Sequence, residues 1–221
     1  AMRYSAAHKQ ATRRRILAAA SQAFRERGVA ETGVDEVMRR AGLTHGGFYA
    51  HFHDKNELVA EACGEAFAAA KPNLERIAAR PTAAQRVRLL IDSYLSARHR
   101  DHRGSGCLIV AVGADMARLQ GVSRMGYARG FADHIDRLGA ALRLSADPEE
   151  NRERVLHLLS ALVGALLLAR AIDDPGERDA ILRTMRRRLR AEFCAKRSEP
   201  GRETPVGRGA FIPSHDLLRA V

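Results

Sequence analysis

Thr44, His45, Tyr49 and His51 bring a hydroxyl, a phenol and two imidazoles into one short stretch, with two bare glycines, Gly46 and Gly47, between them. Side chains of these types either run acid–base chemistry or donate hydrogen bonds to another polar surface. The sequence does not support the first use. It contains no Gly-rich phosphate loop, no nucleophile elbow and no HExxH, so none of the usual frames for a reacting centre is present. The second use fits better, because such groups hydrogen-bond to phosphate oxygens and to base edges. The plainer alternative is an ordinary helix with a polar outer face. The glycines argue against it, because each costs about 1 kcal/mol relative to Ala in a helix. They make sense where backbone must approach something large.

The flanking residues supply the elements that position this stretch. Val34, Val37, Met38 and Ala41 recur at helical spacing and predict a helix over 34–41. Gly42 can end it in a left-handed conformation without steric cost, and Leu43 can fill the gap that follows. Thr44 is a good N-cap residue for a second helix over 45–52, with Phe48 and Phe52 facing inward. Two short helices and a tight turn make a helix-turn-helix, whose second helix enters the DNA major groove with its N-terminal residues against base edges. Asp54-Lys55-Asn56-Glu57 reads as a capping box that opens a long helix over 54–80. Lys55 stands at its first position, where helix N-termini hold phosphate. The plainer reading of Lys55 is a surface lysine.

AGLTHGGFYAHFHDKNELV resembles the DNA-binding domain of the TetR family of bacterial transcriptional regulators, and RRRILAAASQAFRERGVAETGVDEVMRRAG is similar to that family's first two helices. The resemblance is continuous over residues 13–61. It implies a DNA-contacting set of Thr44, His45, Gly46, Gly47, Tyr49, His51 and Lys55, flanked by Arg14, Gly33 and Asp35. It also implies that the helix opened by Lys55 carries a ligand signal to the DNA-reading helices.

Composition agrees with a polyanion partner. The 221 residues carry a formal net charge of +11, a balance that favours nucleic acid; a merely solvated basic surface is the alternative. Arg3, Lys9, Arg13, Arg14 and Arg15 precede any acidic residue, and such a run beside a DNA-reading element is expected to sit on phosphates. Trp is absent, Pro is scarce and 46% of residues are hydrophobic, which predicts a helical chain with a substantial core. Cys63, Cys107 and Cys194 form no CxxC or zinc spacing, so no metal, disulfide framework or cofactor is implied and a reducing cytoplasm fits. The N-terminal residues are polar and basic, unlike a secretory signal. The uncharged run 155–169 is shorter than the roughly 20 residues that a membrane span takes.

Further along, helices are predicted over 6–27, 83–100, 107–119 and 121–144, with two more opened by Pro148 and Pro175. HRDHRGSG reads as a charged loop, and His99, Asp101 and His102 within it lack the spacing of a metal site. Leu167, Leu168 and Ala161 widen the apolar stripe of the helix after Pro148, so that helix is expected to be buried on more than one side. By resemblance, the segments 148–172 and 175–197 pair with their copies in a homodimer. Phe67, Tyr94, Cys107, Met116, Met125 and Tyr127 are the candidates for lining an effector pocket, each also readable as plain core. Cys107 stands at a helix start, where a thiol can be activated, and certain family members with a Gly-Cys pair at this place respond to oxidants or electrophiles. A small, unreactive cysteine is the alternative.

Together these readings predict an all-α protein of about nine helices. Residues 1–58 form a three-helix helix-turn-helix domain with a basic arm over 1–10, residues 59–197 an effector-binding and dimerisation domain, and 198–221 a mobile tail. The expected function is a homodimeric repressor, released from a palindromic operator in double-stranded DNA by a small molecule, with a thiol switch at Cys107 as the second reading. A charge-driven DNA coater and an all-helical enzyme are the rivals from other classes.

Overall fold

The structure, a computed structural model, describes residues 6–194. Arg3 and the expected tail over 198–221 lie outside the described residues. Within them the chain is all-α, with ten α-helices and two 3-10 segments.

The first helix, α1 (Ala6–Arg27), buries Ile16, Leu17, Ala20, Ala23 and Phe24, as their spacing predicts. It ends at Gly28, whose φ of 81° is the left-handed conformation that glycine takes without penalty. Helix α2 (Val34–Arg40) follows, and Gly42 (φ 68°) closes it in the same way. Next comes a 3-10 segment, His45–Ala50, where the sequence predicts an α-helix. Two consecutive glycines weaken α-helical propensity, and short stretches then tighten into i→i+3 bonding. Helix α3 (Lys55–Ala68) is capped by Asp54, whose carboxylate accepts from the Glu57 N–H. Glu57 accepts in turn from the His53 N–H at 2.6 Å.

The helix expected to run on to residue 80 is two helices, α3 and α4 (Lys71–Ala78). Pro72 explains the break: it has no N–H to give to the preceding turn and is tolerated only in the first turn of a new helix. The helix expected over 83–100 is also divided, into α5 (Ala83–Tyr94) and α6 (Ala97–Asp101). Ser96 accepts from the His99 N–H and so starts α6, which takes up part of the predicted loop; Arg103–Ser105 is a 3-10 turn. Helix α7 (Leu108–Arg118) has Cys107 at its N-cap. Helix α8 (Gly121–Leu142) stops at Arg143, which is left-handed (φ 53°). Helices α9 (Pro148–Ala171) and α10 (Pro175–Cys194) complete the described chain.

Two apolar cores result. One joins α1, α2, the 3-10 segment and α3 to Leu108, Val112 and Met116 of α7. The other joins α4, α5, α8, α9 and α10. Ile109 and Phe131 pack against both. Helix α8 crosses α3 so closely that a methyl at Gly126 would lie 2.6 Å from the Ala60 Cβ.

Helix α9 is long and apolar enough to cross a membrane by length and composition alone. Its stripe from Val155 to Ala169, however, is buried in the second core. Leu167 and Leu168, expected to be buried, are instead 50% and 56% exposed in the single chain, because α8 and α10 cover the opposite side of the helix.

Candidate DNA-reading surface and effector cavity

The turn between α2 and the 3-10 segment is held from inside. Phe48 and Phe52 stack with ring centres 5.5 Å apart and are buried, while Leu43 N–H reaches back to the Met38 carbonyl. This anchoring turns Thr44, His45, Gly46 and Tyr49 outward, and all four are exposed. The Thr44 hydroxyl caps nothing and is left for an outside partner. His45 contacts the Asp35 carboxylate through Nδ1 and meets the edge of Tyr49, so three of the candidate residues form one surface cluster. A Cβ at Gly46 would meet nothing within 4 Å, and one at Gly47 would meet only Met38 Cε at 3.6 Å. The protein's own packing therefore does not require either glycine. Gly33 is the exposed N-cap of α2, and Arg14 is exposed on α1.

His51 is less open. It is half-buried, and its Nδ1 is buried without a partner. Burial first, and then the charges of Lys9, Arg13 and His8, hold its pKa below the ordinary value, so the ring is neutral at neutral pH. Lys55 is half-buried at the first position of α3.

The sequence suggested that the basic run of α1 sits on phosphates, but two of its arginines are engaged within the protein. Arg13 lies 4.2 Å over the Phe52 ring, bonds to the His51 carbonyl and pairs with Glu57 and Glu61. Arg15 donates to the Ala41 carbonyl at 2.5 Å. Both arginines hold the helix-turn-helix together rather than waiting for phosphate. Their carboxylate and carbonyl partners are 26 to 48 residues away in sequence, which hides the pairing from local reading.

Among the described residues, three hydrogen-bonded residue pairs tie this unit to the helices that follow α3. Arg25 Nε donates to the Gly104 carbonyl at 2.7 Å, the Val29 N–H donates to Asp115 at 2.7 Å, and the Ser123 hydroxyl donates to the Asn56 carbonyl at 3.1 Å. Ser123 is fully buried. None of the three was marked in the sequence. Gly126 and Gly130, which let α8 lie against Ala60 and Phe67 of α3, were also missed, although their spacing of four residues is a readable signal of close helix approach.

A cavity of about 390 Å³ opens between the two cores. Phe67, Tyr94 and Cys107 line it, as expected. Met116, Met125 and Tyr127 do not. Met116 is buried in the first core. Tyr127 packs on Phe67 with ring centres 5.6 Å apart, and burial pushes its phenol up to about 12. Met125 is 58% exposed, because α8 meets α3 through Gly126 and Gly130, roughly 100° and 140° round the helix from Met125. The cavity walls also include Arg25, Arg76, His99 and His134, which the sequence reading passed over.

The floor of the cavity is a hydrogen-bonded loop. His99 Nε2 accepts from the Cys107 N–H at 2.9 Å, so Nδ1 carries the proton and donates to the Tyr94 carbonyl at 2.7 Å. Burial depresses the His99 pKa, which keeps that neutral tautomer. Arg170 of α9 straps the loop by donating to the carbonyls of His99 (2.7 Å) and Arg100 (3.1 Å). His134 Nδ1 is buried without a hydrogen-bond partner, and the Tyr94 hydroxyl is buried beside Cys107. Burial, and then the adjacent Cys107, raises the Tyr94 phenol far above its usual range. Among the described residues no His/Cys/Asp/Glu group could hold a metal ion, and that includes His99, Asp101 and His102.

Comparison with known proteins identifies this arrangement. Residues 16–62 match the family described as bacterial regulatory proteins, tetR family. An uncharacterized HTH-type transcriptional regulator of Mycobacterium tuberculosis is 31% identical over 198 residues, which are 83% of this chain and 97% of the relative. The chain belongs to the TetR family. It is therefore a DNA-binding transcriptional regulator, and the family is not an enzyme class. Solved TetR-type structures share the fold. Reduced NemR of Escherichia coli matches at a TM-score of 0.66 and 21% identity, over 80% of this chain and 95% of that one. AibR in complex with isovaleryl coenzyme A and operator DNA matches at 0.57 and 19%, over 83% and 98%.

Proposed function

We propose that this TetR-family regulator is a homodimeric repressor that leaves a near-palindromic operator when a small molecule occupies the cavity. The exposed cluster of Thr44, His45 and Tyr49 around two glycines that the fold itself does not need is the observation that carries the DNA-reading assignment. In this reading Thr44, His45, Gly46 and Gly47 face base edges, while Tyr49, His51, Lys55 and Arg14 face phosphates. Gly33 and Asp35 flank them, Asp35 orienting the His45 ring. Residues 1–58 form the DNA-binding part. The remainder binds the effector and dimerises, although α7 lends its apolar face to the first core. As a soluble DNA-binding protein it works in the cytoplasm, where its operator is.

The exposed Leu167 and Leu168 on α9 offer apolar surface for a second copy, with α10 packed alongside α9. Two recognition elements related by a two-fold axis then read half-sites about one helical turn, ~34–36 Å, or a multiple of it apart. AibR was solved with both isovaleryl coenzyme A and operator DNA, which supports looking for a ligand site and a DNA site in one chain of this fold. An effector that prefers the DNA-incompetent dimer releases DNA only to the extent of that preference.

Selection of bound duplexes from a random library at near-physiological salt tests the reading. Enrichment of a palindrome is expected. Equal affinity for specific and random duplexes would replace a sequence-specific regulator by a charge-driven one.

One observation favours a second reading. Cys107 lies on the cavity wall beside Tyr94 and near the Arg25 cation, so an oxidant or electrophile entering the cavity meets its thiol. NemR was solved in a reduced form, which supports testing redox state here. Under this reading Cys107→Ser keeps operator affinity and no longer releases DNA with peroxide or hypochlorite. Normal release by the Ser variant removes the thiol switch.

A further inference from the structure

Resting on the effector reading of the cavity, we propose that its ligand is a small monocarboxylate with an apolar body, and that Arg25 of the DNA-binding part takes the carboxylate. The cavity wall contains Arg25 and Arg76 and not one Asp or Glu. Its two imidazoles add no positive charge: His99 is fixed as the neutral tautomer by its two bonds, and burial, followed by the charge of Arg137, disfavours the cationic form of His134. The nearby Cys107 is the remaining titratable neighbour of Arg25 on the wall.

Arg25 is half-buried, and among the described residues its one hydrogen bond uses Nε, on the Gly104 carbonyl. Among the described residues no carboxylate pairs with it. The adjoining Glu26 is committed to Arg40 at 2.7 Å. A guanidinium whose two terminal nitrogens lack partners presents the fork that a carboxylate meets with two parallel hydrogen bonds. Arg76 is exposed and adds positive potential at the rim.

The polar side chains of the wall point the same way. Asn73, Tyr94 and Ser105 line the cavity, and covering such groups with a purely hydrocarbon ligand costs free energy. A cation meets two guanidinium groups and no counter-charge. A phosphate ester brings more charge than one half-buried guanidinium balances. A carboxylate suits the single half-buried cation, while Leu74, Ile77, Leu138 and Leu159 receive an apolar body. At about 30 Å³ of liquid volume per water, the cavity accommodates roughly a dozen non-hydrogen atoms.

The choice of Arg25 also supplies a route to DNA. Its bond to Gly104 is one of the three polar ties between the DNA-binding part and the rest, and of those three residues on the tying side it is the one that lines the cavity. A carboxylate on the terminal nitrogens pulls on the same guanidinium whose Nε holds the Gly104 carbonyl. Binding thereby changes how α1 is held.

Calorimetric titration of the full chain with octanoate and naphthoate, against octanol and octylamine, tests the proposal. Both carboxylates are expected to bind, octanol at least about tenfold more weakly and octylamine not at all, as a charged hydrogen bond of this kind requires. Arg25→Gln is expected to weaken octanoate at least about tenfold and leave octanol unchanged, with partial recovery in Arg25→Lys. Equal affinities for octanoate and octanol in the native protein, no binding of either carboxylate, or unchanged octanoate affinity in Arg25→Gln would each overturn it. The native octanoate-to-octanol ratio does not depend on any variant folding. Palindrome selection by the ligand-free protein is read separately, so loss of the carboxylate assignment and loss of the operator reading are distinguishable.

Discussion

Gly126→Ala is the most direct perturbation of the contact that joins α3 of the first core to α8 of the second. A methyl at position 126 would sit 2.6 Å from the Ala60 Cβ, 2.9 Å from the Ala60 Cα and 3.2 Å from its carbonyl oxygen. Two of these atoms are backbone and the third is fixed to it, so no rotamer change can relieve the overlap; α8 and α3 must separate. Overpacking of this kind costs about 1–3 kcal/mol, and the rigid neighbour puts it in the upper part of that range. Alanine also gains about 1 kcal/mol of helix propensity over glycine. The net expectation is a loss of about 1–2 kcal/mol, or roughly 2–8 °C in melting temperature for a chain of this size. Gly113→Ala in α7 is the control. A Cβ there meets nothing within 4 Å, so only the propensity gain remains and the melting temperature should rise. Thermal unfolding of the two variants beside the parent, with operator affinity measured on each, separates the terms. A Gly126→Ala protein stabilised as much as Gly113→Ala would refute the claim that α8 depends on a missing side chain to approach α3.

Removing the Asp115 carboxylate by Asp115→Ala leaves the Val29 N–H without its 2.7 Å acceptor at a residue only 4% exposed. Chemical denaturation should show a loss of about 1–3 kcal/mol, and a loss within experimental error would mean that solvent replaces the bond. Lys55→Ala should weaken binding to all duplexes alike and lower the salt slope by about one, whereas His45→Ala or Thr44→Ala should relax preference at particular bases; identical salt slopes for the parent and Lys55→Ala would rule out the phosphate contact. Acid should destabilise the DNA-binding part in a defined direction. The Glu26 and Glu36 carboxylates are held below their ordinary range chiefly by hydrogen bonds from Arg40, and Glu57 by the His53 N–H and then Arg13. Because the folded pKa values are depressed, this stability is complete above the unfolded glutamate pKa of about 4.3 and is lost as pH falls through the lower folded values. Melting temperatures from neutral to about pH 3 should therefore drop on the acid side, less steeply in Glu57→Gln; an unchanged acid limb in that variant would count against its role.

Sequence alone determined the parts of this protein that depend on neighbours in the chain. The α1 stripe of Ile16, Ala20 and Phe24, the left-handed stops at Gly28 and Gly42, the inward pair of Phe48 and Phe52 and the Asp54 cap all act within a few residues. The helix-turn-helix was legible for that reason, and so was the all-α class. Local reading erred where a local signal was underweighted: Pro72 and Ser96 each start a new helix inside a stretch that apolar periodicity alone joins together. Tertiary structure decided the rest. Periodicity marks Met125 and Tyr94 equally as inward-facing, and only the approach of α3 to α8 through Gly126 leaves the first exposed while the second lines the cavity. The basic run of α1 is uniform in sequence. In the fold Arg13 is paired with Glu57 and Glu61, Arg15 is tied to Ala41, Arg14 faces outward and Arg25 borders the cavity. Which charge holds the fold and which remains for a ligand depends on carboxylates and carbonyls tens of residues away. Only the packing of helices against one another brings those groups together.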